Sequence, residues 1–169
     1  MRDTTSPRGI LHALKIAQHS LSHSSHNRTC VGASAQFLER KTLSLDAAKK
    51  IAAAAEAEAA KNKWTMAIAV LDDGGHLIYL ERMDGTQIGS IEVAQGKART
   101  AVHFRRPSKD FEDAIAANHL FVMTLGDITA IRGGLPVMLD GKTVGAIGVS
   151  GGDPAQDEQC AEAGLAAMH

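Results

Sequence analysis

Two apolar segments of this sequence are each interrupted by residues that favour a tight turn. The first segment, "WTMAIAVLDDGGHLIYLER", has Asp-Gly and Gly-Gly steps between two apolar runs. The second, "GGLPVMLDGKTVGAIGV", has an Asp-Gly step at Asp140–Gly141. These steps supply the positive φ that two-residue hairpin turns require. The sequence therefore predicts two β-hairpins, which set most of the strands of the fold.

Helical patterns surround these hairpins. An alanine-rich helix is predicted between a cap at Ser44 and an end at Asn62, and a second helix between a cap at Ser90 and Pro107. Ser108 is expected to cap a shorter helix, and "DPAQDEQCAEAGLAAMH" closes the chain as another. The stretch "DITAIRGGLPVMLDGKTVGAIGVSGG" predicts about three strands. Helices packed on a mainly antiparallel, hairpin-dominated sheet make a single α+β domain.

The charge is distributed unevenly along the chain. Residues 1–41 carry six Lys/Arg and two Asp/Glu and are rich in Ser and His, whereas residues 42–169 are acidic. This predicts a flexible basic extension, 1–41, before one domain, 42–169. The cytoplasm is the expected compartment, with targeting to an organelle through residues 1–41 as the alternative. His19, His23 and His26 could share a helix face and bind a metal, but the Ser-rich context favours a solvated tail.

Bulk properties exclude some classes of function. The formal net charge of the 169-residue chain is −1, which argues against nucleic acid as the main partner. No apolar run approaches the roughly 20 residues that span a bilayer, so no membrane partner is expected. Cys30 and Cys160 have no CxxC or metal-ligand neighbourhood and are interpreted as free thiols of a reducing compartment.

The glycine-rich stretch "GAIGVSGGDPAQDEQ" raises the possibility of a phosphate site. Its spacing is neither GxGxxG nor GxxxxGK[ST]. The helix that follows opens with Asp153, Pro154 and Gln156, a capping box whose carboxylate would repel a phosphate. Gly145 and Gly148 are instead expected to let another backbone, a side chain or a flat ligand approach the strand.

Taken in order, "LDAAKKIAAAAEAEAAKN", "AIAVLDDGGHLIYLERMDG", "AQGKARTAVHFRRPS" and "GGLPVMLDGKTVGAIGVSGGDPAQDEQCAEAG" resemble the GlcG/HbpS family. Relatives of that family include the C-terminal domain of PduO-type adenosyltransferases. The resemblance covers about residues 42–168. It implies a profilin-like α+β fold with a five-stranded antiparallel sheet and assembly into dimers or higher oligomers. Some members bind haem, and many others have no settled activity, so the family predicts fold better than function.

The resemblance also indicates where a haem would bind. It places the pocket near "ERMDG", "GKARTA" and "RGG", with Thr100 or His103 as the axial donor. Lys97, Arg105 and Arg106 are then the candidates for contacts with the propionates. The alternatives from the residues alone are that His103 interacts with the helix dipole and that the two arginines form a solvated basic turn.

An enzymatic interpretation uses a different set of residues. Asp84, Lys97 and Arg132 could converge on a small carboxylate or carbonyl substrate, with Lys97 and Asp84 moving a proton. No nucleophile–base pair and no metal-ligand cluster can be identified from spacing in the domain. The leading hypothesis is therefore an oligomeric protein that binds a small ligand, with haem as the first candidate. The alternatives are a cofactor-free isomerase, tautomerase or hydrolase of small-molecule catabolism, and an accessory oligomer without its own ligand.

Overall fold

Both predicted hairpins form, and their strands make one sheet. The computed structural model describes residues 38–168. β1 (Ala67–Asp72) pairs with β2 (Leu77–Arg82), β3 (Gly134–Leu139) pairs with β4 (Lys142–Ser150), and β1 also pairs with β4. Every pairing is antiparallel, and the strand order is β2-β1-β4-β3. Both hairpin turns therefore lie at the same end of the sheet, which we name the turn end.

Helices cover both faces of this sheet. α1 (Leu45–Lys61) and α4 (Pro154–Ala166) share a core with one face, and α2 (Ser90–Phe104) packs on the other. α3 (Lys109–Ala116) and a short 3-10 helix (Leu120–Thr124) follow α2. The side of α1 that enters the core is mostly alanine, comprising Ala48, Ile51, Ala52, Ala55 and Ala59. These small side chains let the helix lie close to its neighbours, as the composition of the segment predicts.

The ends of the helices show which capping predictions were right. The Ser44 hydroxyl accepts a hydrogen bond from the Ala47 N–H (3.2 Å), and Asn62 ends α1 as predicted. α2 begins at Ser90 with Gly89 as its cap, so Ser90 is the first helical residue and not the cap. Ser108 is the N-cap residue of α3 as predicted, but its hydroxyl donates to the Ile131 carbonyl (2.7 Å) and makes no capping hydrogen bond to the helix.

The expectation of five strands was wrong, because the described residues contain four. The missing strand is the segment that begins with "DITAIR", which forms an irregular connection between the 3-10 helix and β3. Side chains satisfy its backbone groups: the Thr129 N–H donates to the Thr100 hydroxyl (2.7 Å), and the Arg132 N–H donates to Glu112 (2.7 Å). Asp127 also has φ +54°, which a strand does not allow. A backbone paired with side chains in this way has no need of a neighbouring strand.

Some predictions fall on residues outside the described range. They concern the structure of the basic extension, the possible metal face of His19, His23 and His26, and the state of Cys30. The boundary between the extension and the domain stays a prediction as well. Among residues 38–168, none of the helices has the length and apolar character that crossing a bilayer requires.

Candidate functional site

The glycines of β4 and β3 bring α2 very close to the sheet. A Cβ at Gly148 would collide with the backbone of α2 at Ala94 and Ala98, and one at Gly134 would collide with the Lys97 carbonyl. Only residues without a side chain allow this distance between helix and sheet. The glycine-rich stretch therefore serves packing, and the residues of α2 take their positions from that contact.

The N-terminus of α4 is already occupied by the protein's own acceptors. The Gln156 side-chain oxygen accepts from the Asp153 N–H (3.0 Å), and the Asp157 carboxylate accepts from the Gly152 N–H (3.1 Å). A phosphate would need those N–H groups and would meet the Asp157 charge. These contacts leave little room for a phosphate at this turn, and the absence of nucleotide binding stays a prediction.

Lys97 lies inside the protein, at the end of the sheet opposite the turns, which we name the closed end. Its ammonium donates to Asp157 (2.6 Å) and to the Val149 carbonyl (3.1 Å). The two side chains are only 1% and 3% exposed. Burial raises the pKa of the Asp157 carboxyl, against the opposing effect of the Lys97 ammonium. Lys97 thus ties α2 to the first turn of α4 and has no free path to a ligand.

Arg132 belongs to the same group of charges. Its guanidinium contacts Glu112 (3.2 Å) and Glu158 (3.6 Å). Partial burial raises the pKa of Glu112, but the N–H and guanidinium of Arg132 together lower it by more. The pKa therefore lies below its ordinary value. Asp84 lies elsewhere, exposed after β2. The structure thus places Lys97 near Arg132. The carboxylate beside Lys97 is Asp157, and not Asp84 as the enzymatic hypothesis expected.

Thr100 is also fully engaged. It is 0% exposed, and its hydroxyl donates to the Gly96 carbonyl (2.9 Å) while accepting from the Thr129 N–H (2.7 Å). Both contacts would have to break before this oxygen could reach a ligand. Its position explains the irregular connection before β3 better than it explains cofactor binding.

His103 is different, because its imidazole is exposed. Its Nε2 lies against Gly75 in the turn between β1 and β2, where a Cβ would collide with the ring. Leu77 begins β2 just beyond that turn and is 47% exposed. Leu77 pairs with Leu71, whose side chain packs under α2, so Leu77 lies on the same side of the sheet as His103. Arg99 is four residues before His103, on the same face of the helix and only partly buried.

Arg105 and Arg106 leave the end of α2 in different environments. Arg105 is the C-terminal cap in the left-handed conformation (φ +54°). It lines a cavity of about 670 Å³ at the turn end of the sheet. Arg106 instead stacks on Phe111, with its guanidinium carbon 4.0 Å from the ring centroid. Although Arg105 and Arg106 are adjacent in the sequence, they therefore have different neighbours in the structure.

The walls of this turn-end cavity come from four parts of the chain. They are the segment before α1, the β1–β2 turn, the end of α2 and the β3–β4 hairpin, and the side chains include Arg40, Lys41, Asp73, Val102, Arg105, Met138, Leu139, Asp140, Lys142 and Val144. Cations, carboxylates and apolar groups all contribute. His103 and Thr100 are not among the lining residues.

The structure therefore separates the predicted haem residues. Lys97 and Thr100 are buried in different contacts, His103 faces solvent beside Gly75, and Arg105 lines the cavity. Sequence reasoning missed Arg99 as the cation beside His103, although their i, i+4 spacing was available. It also missed Asp157 and Lys142, whose roles depend on contacts between distant segments. Within residues 38–168 there is no cluster of three metal-ligating side chains.

Comparison with known proteins supports this architecture. Protein GlcG of Escherichia coli (strain K12) is 44% identical over 108 residues, which cover 64% of this chain and 81% of GlcG. The crystal structure of HbpS has a TM-score of 0.76 at 32% identity and covers 82% of this chain and 98% of that one. The crystal structure of the PduOC:Heme complex has a TM-score of 0.69 at 26% identity and covers 75% and 94%.

A family model also matches nearly the whole domain, in agreement with these similarities. Residues 43–166 match the family described as "Haem degrading protein HbpS-like". The match confirms the resemblance that the sequence segments indicated, and it includes the sheet and all four α-helices. The chain therefore belongs to the HbpS-like family.

Proposed function

We propose that this protein binds haem and that the imidazole of His103 would hold its iron. The observation that carries the proposal is the exposure of His103 beside the β1–β2 turn. Its Nε2 rests against Gly75, and because the ring is exposed it can turn away from that glycine to reach a ligand. Imidazole is a common axial ligand of haem iron. The family description and the PduOC:Heme complex, which this chain resembles in structure, support haem as the ligand.

The surroundings of His103 fit the other requirements of a haem. The macrocycle needs an apolar surface, and Leu77 offers an exposed one on the same side of the sheet. The propionates need a cation, and Arg99 lies one helical turn before His103. Thr100 and Lys97 fit less well because both are buried and hydrogen-bonded. The proposal therefore keeps His103 from the predicted set and gives the role of Lys97 to Arg99.

Each of these side chains would do a separate task. His103 would hold the iron, Arg99 would bind a propionate, and Leu77 would exclude water from one side of the ring. Haem, when bound, supplies redox-active iron, and the protein's part is to set its ligand and its exposure to solvent. Binding is the activity that we propose, and no catalytic step is assigned to these residues.

Self-association is part of the same proposal. Three apolar side chains of the 3-10 helix point outward, since Leu120, Phe121 and Met123 are 52%, 68% and 66% exposed. Exposed apolar groups that lie together mark surfaces for association more often than scattered ones do. We place a contact between copies of this chain there.

A haemin titration tests the proposal. The purified protein is titrated at known chain concentration while the Soret region is recorded, which gives haem per chain. Light scattering measures the mass of the assembly, and a monomer mass would contradict self-association. We expect a saturable, shifted band that His103→Ala weakens by about tenfold or more, which is about 1.4 kcal/mol of binding free energy. Arg99→Gln should weaken binding less.

Matched variants control for general effects. His119→Ala removes another exposed histidine, whose ring lies near Phe121, and should leave the band unchanged. Thr100→Val tests the donor that the structure disfavours. A band that survives His103→Ala but is lost in Thr100→Val would assign the iron to Thr100 instead. A titration without any shifted band would overturn haem binding altogether.

A further inference from the structure

We propose that the turn-end cavity is a second binding site, separate from His103, for an organic carboxylate with an apolar body. The cavity measures about 670 Å³, within the range of pockets that hold small molecules. Its lining combines basic side chains with apolar ones. No role has been given to this cavity by the haem proposal, since His103 is not among the lining residues.

Two of the four cations in the lining are already paired. Arg40 contacts the carboxylate of Asp73, and Lys41 contacts that of Asp140 (2.7 Å). These pairs hold the segment before α1 against the two hairpin turns. They form the frame of the cavity, and their charges cancel within it.

The other two cations, Arg105 and Lys142, make no ion pair with residues 38–168. Lys41 lowers the pKa of Asp140 through its hydrogen bond and charge, and the charge of Lys142 lowers it slightly further without forming an ion pair. Glu39 is the third acid of the lining, and it lies in the exposed segment before α1. The C-terminal end of α2 adds partial negative charge, which Arg105 offsets as its cap. Four cations and three carboxylates line the cavity, so an excess of one positive charge remains, and Arg105 and Lys142 are the cations outside the two ion pairs.

The apolar part of the lining sets the shape of the ligand. Val102 and Val144 are almost fully buried at 4% exposure each, whereas Met138 and Leu139 are about half exposed, at 46% and 47%. A bare inorganic anion would leave these apolar groups in water. A ligand with an aromatic or aliphatic body would cover them, and removing this apolar surface from water favours binding.

Carboxylate chemistry fits the two cations. The guanidinium of Arg105 can bind both oxygens of a carboxylate, and Lys142 adds a second charge from the neighbouring hairpin. The backbone of Arg105 is fixed as the helix cap, so the base of its side chain is already in place. Both residues thus act as binding residues for the same acidic group.

Isothermal titration calorimetry with 2-naphthoate tests this site on the full chain. We expect saturable binding of one 2-naphthoate per chain, weakened about tenfold by Arg105→Gln or Lys142→Gln, equivalent to about 1.4 kcal/mol. Arg82→Gln and Lys49→Gln are the matched controls, because both residues are exposed and neither lines the cavity. They should leave binding unchanged.

Two further ligands identify what is recognised. The neutral isostere 2-naphthamide should bind much more weakly than 2-naphthoate, and inorganic phosphate should not compete with it. Equal binding of the amide would show an apolar pocket without carboxylate recognition, and strong competition by phosphate would show a general anion site. Either result, or an absence of 2-naphthoate binding, overturns the proposal.

A haemin titration of Lys142→Gln separates the two sites. The Soret band should keep the position and affinity of the unaltered protein, because Lys142 is not among the residues that we assign to haem binding. Loss of the band in this variant would place haem in the cavity and would overturn the claim of a second site. Loss of 2-naphthoate binding with an intact Soret band supports both proposals together.

Discussion

The two ends of the sheet use the same charged groups in opposite ways. At the closed end, Lys97 and Asp157 form a pair whose side chains are 1% and 3% exposed. At the turn end, Lys41 and Asp140 form a pair whose side chains are 63% and 70% exposed. A buried pair cannot lose one member without leaving an isolated charge in the interior, whereas water and salt replace the partner of an exposed ion. The closed end therefore supports the fold, and the turn end is free to bind a ligand.

The largest expected difference comes from removing one lysine at each end. Lys97→Ala should lower the free energy of unfolding by about 3–5 kcal/mol, because Asp157 is left buried without its counter-ion. Lys41→Ala should leave it unchanged within error, because its partner stays solvated. Urea denaturation at pH 7 measures both.

A double variant separates charge from packing at the closed end. Lys97→Met together with Asp157→Leu removes both charges and keeps apolar volume, so much of the lost stability should return. A small effect of Lys97→Ala alone would contradict the comparison, since it would mean that water reaches this end of the sheet.

A smaller loss of stability is expected when a buried glycine is replaced than when a member of the buried ion pair is removed. Gly148→Ala puts a methyl group into the backbone of α2 and should cost about 1–3 kcal/mol. Gly89→Ala is the control, because nothing lies within 4 Å of a Cβ at that position. Thermal unfolding of the two variants should show a lower melting temperature for the first only. Equal melting temperatures would indicate that α2 can move away from the sheet.

The smallest expected effect is a pH dependence beside the closed end. The pKa of Glu112 is lowered from 4.5 by Arg132 in the folded protein, despite the opposing effect of partial burial. A carboxyl with a lowered pKa stabilises the fold above its unfolded pKa, and that contribution is lost as the pH falls through the folded value. Glu112→Gln should therefore lower the melting temperature at pH 7.

This difference between Glu112→Gln and the unaltered protein should shrink as the pH falls below 4.5, where the unaltered carboxyl also becomes neutral. Asp84→Asn is the control, because Asp84 makes no ion pair with the described residues. Melting curves recorded across this range give the comparison. A gap that stays constant with pH would assign the effect of Glu112 to shape and not to charge.

Local patterns predicted most elements of the fold correctly. The Asp-Gly steps, the alanine-rich run and the capping box at Asp153 each involve residues that are neighbours in the sequence, and each forms as predicted. The prediction of a fifth strand was wrong because contacts between distant residues decided the structure of that segment. "DITAI" has the composition of a strand, but Thr100 and Glu112, which lie far away in the sequence, supply hydrogen bonds to this region in place of a strand partner.

The candidate site was predicted less completely for a related reason. Residues 97–105 can be assigned to a helix and its end from the sequence, so their order around the helix axis follows. Which of them are covered depends on Gly148, on Asp157 and on the connection before β3, none of which is close in sequence. His103 was predicted near a helix end and lies in the last turn of α2, but nothing local predicts that it is exposed while Thr100 is buried.

The sequence by itself determined the hairpins, the helices, their order and the family, because these depend on turn residues, periodicity and segments of local pattern. Only the tertiary structure decided that Lys97 is a buried counter-ion while Arg105 and Lys142 face a cavity. The physical reason is that burial depends on what the fold places over a residue. A lysine or arginine has the same chemistry in any sequence, and its exposure decides whether it holds the protein together or binds a ligand.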